Sequence, residues 1–129
     1  MTLRARPVAV KRLPTAPGAK QERMFLLELE SCLNGPRPCI VLDCAEALQM
    51  KKPEQLLLLR CLEEAMKRNG DVRLAAVGPG ARDDLKAAGI DRLFKIFDTT
   101  AEAIDSFQRP WGFAGYVEER DAQPAAGAA

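Results

Sequence analysis

The chain has 129 residues, 47% of them apolar, with 19 basic and 18 acidic side chains and a formal net charge of +1. That is one domain's worth of material with apolar bulk for one core. Its balanced charge argues against the basic excess by which nucleic-acid binders neutralise phosphate, and no apolar run approaches the roughly 20 residues that cross a bilayer.

Residues 7–12, Pro-Val-Ala-Val-Lys-Arg, read as a short strand entered by proline, which suits a sheet edge. The turn-rich residues 13–18 read as a loop. Over residues 19–33, Met24, Phe25, Leu26, Leu27, Leu29, Cys32 and Leu33 give a broad apolar face at helical spacing, interleaved with Glu22, Glu28 and Glu30. Asn34, Gly35 and Pro36 stop that helix. Residues 39–43, Cys-Ile-Val-Leu-Asp, lack polar alternation, the pattern of a central strand covered on both sides. A loop of mixed character follows to Lys52. Residues 53–68 are the strongest helix, with Pro53 suited to the first helical position. Leu56, Leu59, Cys61, Leu62 and Met66 mark its apolar face, and Arg60, Glu63, Glu64 and Lys67 the solvated one. Asn69 and Gly70 end it. Residues 72–77 read as a second buried strand, Gly78-Pro79-Gly80 as a turn, and residues 81–88 as a short helix closed by Gly89. Residues 94–98 read as a last strand with alternation, and Thr99 or Thr100 caps a final helix to about Gln108.

Strands alternating with helices at this spacing predict an α/β fold: a small, mostly parallel or mixed sheet of 4–5 strands flanked by about four helices in a single domain. Residues 1–109 are assigned to that domain. Residues 110–129 form a C-terminal extension, partly disordered, in which Trp111, Phe113 and Tyr116 either pack back on the domain or serve a partner.

The sequence has no histidine and four cysteines, Cys32, Cys39, Cys44 and Cys61, without paired CxxC spacing. Histidine is the usual general base near neutral pH and a common metal ligand, so catalysis is disfavoured and no metal or cofactor site is expected. The thiols read as reduced and mostly buried in a cytoplasmic protein, with a redox switch as the sharper reading. In open α/β sheets ligands bind beyond the carboxyl ends of the strands. Asp43 there reads as a carboxylate bonded to nearby amides. Gly78-Pro79-Gly80 lacks the frame of a phosphate cradle. Asp83 and Asp84 suit the start of a helix. Lys51 and Lys52 break the pattern, because positive charge at a helix N-terminus opposes the macrodipole. They read either as a tolerated mismatch or as a basic contact for an acidic partner.

Three stretches resemble the STAS domain (sulfate transporter and anti-sigma factor antagonist) family. They are residues 39–43; residues 50–70, with a methionine, a short loop and a Leu-rich helix ending in Asn-Gly; and residues 72–97, closing on Ala-Gly-Ile-Asp-Arg-Leu-Phe-Lys-Ile-Phe. The resemblance spans about residues 7–108. It implies a small sheet flanked by helices and a non-catalytic interaction module of signal transduction. Bacterial members bind an anti-sigma factor that is also a kinase, which releases them by phosphorylating a serine in an Asp-Ser-[Ser/Thr]-Gly motif at the start of the Leu-rich helix. The matching positions here are Lys51, Lys52, Pro53 and Glu54. Pro53 falls on the phosphoacceptor, and residues 33–98 contain no serine, threonine or tyrosine.

The expected partner is therefore an anti-sigma factor or a related kinase-like ATPase domain, bound without phosphoswitching. The expected surface is Leu48, Met50, Lys51, Lys52, Pro53, Glu54 and Gln55, with no catalytic, cofactor or metal residues and no nucleic-acid partner. A homodimer stays open. The alternatives are a STAS-type cytoplasmic subunit of a membrane transport system, and a small enzyme or ligand-binding domain built on Asp43.

Overall fold

A computed structural model describes residues 7–15 and 18–108, so the C-terminal extension with Trp111, Phe113 and Tyr116 lies outside the described residues. Four strands form one parallel sheet in sequential order. β1 (Val8–Arg12) is followed by α1 (Ala19–Cys32), β2 (Cys39–Asp43) by α2 (Lys52–Met66), and β3 (Asp71–Ala75) by α3 (Pro79–Ala87). A 3₁₀ turn (Asp91–Leu93) leads into β4 (Ile96–Phe97), and α4 (Thr100–Gln108) completes the described fold. This is the α/β architecture expected, with β1 at an edge.

Alternation along the strands divides the interior in two. Ile40 and Leu42 of β2 and Val72 and Leu74 of β3 face one side, where Phe25 and Leu29 of α1, Leu57, Leu58 and Cys61 of α2, and Ala81 and Leu85 of α3 cover them. Three crossover helices on one side are what sequential parallel strands joined by connections of one hand require. Cys39, Val41 and Ala75 point the other way, and α4 covers them with Ala103 and Phe107. Arg73 fixes α4 in place: its guanidinium lies 4.0 Å from the centre of the Phe107 ring, and Nη1 donates to Ser106 Oγ at 2.6 Å.

Helix ends follow local chemistry. α2 closes in a Schellman motif, with Gly70 N–H donating to Ala65 C=O at 2.8 Å and Asn69 N–H to Met66 C=O at 3.0 Å, Asn69 taking φ 60°. Gly70 is required by crowding, since a Cβ there would stand 2.2 Å from the Pro38 carbonyl oxygen. Thr99 caps α4 by accepting the Glu102 N–H at 3.1 Å.

Several expectations need correction. Leu56 and Met66 are 48% and 61% exposed, not part of the buried face of α2, which is formed by Glu54, Leu57, Leu58, Cys61 and Ala65. Met24 and Leu27 of α1 are likewise exposed. Gly78-Pro79-Gly80 is not a free turn: Gly78 is the N-cap of α3, and Pro79 opens that helix, where its missing N–H costs nothing. β3 ends at Ala75, and the last strand shrinks to Ile96–Phe97 behind a 3₁₀ turn. Lys52, not Pro53, is the first residue of α2.

Candidate functional site

The carboxyl ends of the strands meet the loop that joins β2 to α2, and that loop is built from the inside out. Asp43 Oδ1 accepts the Ala45 N–H at 3.0 Å, as expected for an aspartate at a strand end. Cys44 N–H donates to Ala75 C=O at 2.9 Å, tying the loop's first residue to the end of β3. Ala47 and Met50 are buried in the larger core. Met50 N–H donates to Asp84 Oδ2 on α3 at 2.9 Å, and Met50 C=O accepts from Gln55 Nε2 at 2.8 Å. Lys51, the N-cap of α2, has no side chain able to accept from the helix; instead its own N–H donates to Glu54 Oε1 at 3.0 Å, half of a capping box. Glu54 is accordingly buried.

The seven residues singled out in the sequence therefore share one loop and helix start, but they divide. Leu48, Lys51, Lys52 and Pro53 are exposed, Gln55 is half-buried, and Met50 and Glu54 sit inside, where they hold the loop. Leu48, at 77% exposure, is the most exposed of the large apolar side chains among the described residues. Among those residues no ion pair involves Lys51 or Lys52. Sequence reasoning missed two members of this region. Leu56 stands in solvent at 48% exposure, one turn beyond Lys52. Asp84 anchors the loop from 34 residues away, a contact that no local spacing signals. Gly80 also matters: a Cβ there would meet the Leu48 carbonyl oxygen at 3.2 Å, so the loop packs against the start of α3.

A shallow cavity of about 350 Å³ opens between Thr15, Glu46, Ala47, Leu48, Gln49 and Glu54. A larger one of about 420 Å³, lined by Pro7, Cys32, Arg37 and Cys39 among others, lies at the opposite, amino end of the strands. The nearby thiols are chemically quiet. Burial pushes Cys44 up to about 12, with the Asp43 carboxylate adding to the effect. Burial pushes Cys61 to about 12 as well, slightly opposed by Arg60. Both stay protonated near neutral pH and are poor nucleophiles. The four cysteines are free thiols, three of them buried. Among the described residues no three acidic or thiol side chains converge as a metal site, and no helix is long and apolar enough to cross a membrane.

The order of elements and this loop define a small α/β domain with a single parallel sheet. The STAS domain model matches residues 19–103, and the chain belongs to the STAS domain family. Two solved structures share its fold. One is a candidate anti-sigma factor antagonist from Thermotoga maritima (18% identity, TM-score 0.65, covering 79% of this chain and 88% of that one). The other is an anti-sigma-factor antagonist (STAS) domain protein from Planctomyces limnophilus (17% identity, TM-score 0.64, covering 78% and 90%). Among curated proteins no match to the sequence was found.

Proposed function

We propose that this protein is a non-catalytic interaction module of the anti-sigma factor antagonist type, which docks on an anti-sigma factor or kinase-like ATPase domain and is not released by phosphorylation. The carrying observation is the β2–α2 loop. It presents Leu48, Lys51, Lys52 and Pro53 to solvent from a backbone pinned by Met50, Glu54, Gln55 and Asp84. Leu48 on the loop and Leu56 one turn into α2 add exposed apolar side chains to the two lysines there. Family membership and the two structural neighbours support the class of partner. The unswitched character rests on Pro53 and on the absence of any hydroxyl side chain in residues 33–98. The residues that do the docking are Leu48, Lys51, Lys52, Pro53 and Gln55, with Met50 and Glu54 positioning them. No observation favours a transport subunit or chemistry at Asp43, whose carboxylate is engaged by the Ala45 amide.

A photo-crosslinker at position 48, mixed with purified anti-sigma kinase-like ATPase domains from the same genome, tests this. One domain should crosslink and bind with a defined stoichiometry, unchanged by ATP. Crosslinking to none of them would sink the docking surface, and phosphate incorporation with release would sink the unswitched reading.

A further inference from the structure

We propose that the start of α2 receives an acidic, apolar-ridged protein face, with Leu48 and Leu56 as the apolar anchors and Lys51 and Lys52 as the charged grip. This rests on the docking reading above and specifies the chemistry of its partner.

The geometry brings the two kinds of contact together. Lys52 and Leu56 are one helical turn apart and share a flank of α2, with Pro53 beside them. Leu48 projects from the same pinned loop. Leu48 and Leu56 are 77% and 48% exposed. Among the described residues neither lysine takes part in an ion pair. Of the nearby carboxylates, Glu54 accepts from the Lys51 amide, Asp84 from the Met50 amide, and Glu46 pairs with Arg12 at 3.5 Å. Two ammonium groups thus stand at a helix N-terminus whose dipole repels them. Carboxylates on a docked partner relieve both faults at once, while its apolar ridge covers the leucines. The observations favour a protein over a phosphate-rich surface. Net charge is only +1, and Asp83 stands exposed on the neighbouring helix. A polyanion is gripped by a broad basic face, which these two lysines do not make.

With the phosphoacceptor position occupied by proline, ionic strength and the partner's acidity become the controls on affinity. The probe is a helical peptide carrying a leucine stripe flanked by glutamates, titrated into the labelled full chain and followed by NMR. A peptide with lysine in place of glutamate and vesicles containing phosphatidylserine serve as comparisons. The acidic peptide should shift Leu48, Lys51, Lys52 and Leu56. Its affinity should fall about tenfold between about 50 and 500 mM salt, and about tenfold in the double variant Lys51→Glu, Lys52→Glu. That variant suits the helix dipole, and its urea midpoint, measured alongside, separates lost binding from lost folding. Equal binding of the lysine peptide, shifts elsewhere, no binding at millimolar peptide, or binding to vesicles alone would each overturn the proposal. If a protein partner crosslinks at position 48 but ignores the charge reversal, the docking reading stands and this inference falls. If no partner crosslinks there, the docking reading is the one that fails.

Discussion

Ala76 holds a left-handed backbone, φ 59°, in the single step between the end of β3 and the approach to α3, and its N–H donates to Phe97 C=O at 3.0 Å. An L side chain there costs about 1–2 kcal/mol, and glycine gives back about 0.5–1 kcal/mol of that in chain entropy. Ala76→Gly should therefore stabilise the fold by about 0.5 kcal/mol, read as a higher urea midpoint at unchanged slope. The two buried thiols make a different prediction. Cys44 and Cys61 rise from the ordinary thiol value near 9 to about 12. Below pH 9 native and unfolded chains both keep these protons, and stability does not depend on them. Between pH 9 and 12 the unfolded chain releases them and the native one does not, so stability falls as pH rises, by up to about 1.4 kcal/mol per pH unit for each thiol. Cys61→Ala should make that alkaline slope shallower by one thiol's share, measured by urea unfolding across the window.

At the scale of elements, the β2–α2 loop depends on a partner from α3. Asp84→Ala removes the acceptor for the part-buried Met50 N–H and should cost about 1–3 kcal/mol. The same variant should loosen Leu48 and weaken whatever docks there. No sequence pattern pairs residues 50 and 84; only the parallel order, which sets α3 beside α2, brings them together. Other features were legible. β2 was readable because five residues without polar alternation admit only a strand covered on both sides. The helix over residues 53–68 was equally plain, but its rotation was not. Four consecutive leucines, Leu56 to Leu59, fit any phase, and the choice falls to Cys61 and Ala65, small enough for close packing on the sheet. Leu56 was thereby misassigned to the core, although it is a candidate contact. Gly78-Pro79-Gly80 misled for a related reason: turn-forming residues are also those that start helices. The lysines at the start of α2 were visible as an electrostatic mismatch. That neither is ion-paired among the described residues needed three dimensions.

Seen whole, the molecule keeps its polar work and its bulk apart. The larger core lies under α1, α2 and α3, and the β2–α2 loop is fastened to two of those helices. Docking at the loop, as proposed, would press on the larger of the two cores. That favours a preformed surface over one moulded on contact. The family fold is thus intact around a loop that carries Lys51, Lys52, Pro53 and Glu54, the residues on which the proposed change in control rests.

The opposite side of the sheet has a separate consequence. There, among the described residues, a nine-residue helix, α4, covers Cys39, Val41 and Ala75 with its own Ala103 and Phe107, joined by the partly buried Val8, Phe97 and Ile104, and leans on the Arg73 contacts. Free energy of local opening follows the apolar surface that an element buries. α4 should therefore open before the larger core does. Amide hydrogen exchange should show this as a step: protons of residues 103–107 exchanging well before those of Ile40 to Leu42, and by an opening that leaves the β2–α2 loop untouched. The two sides of the sheet should thus open independently of one another.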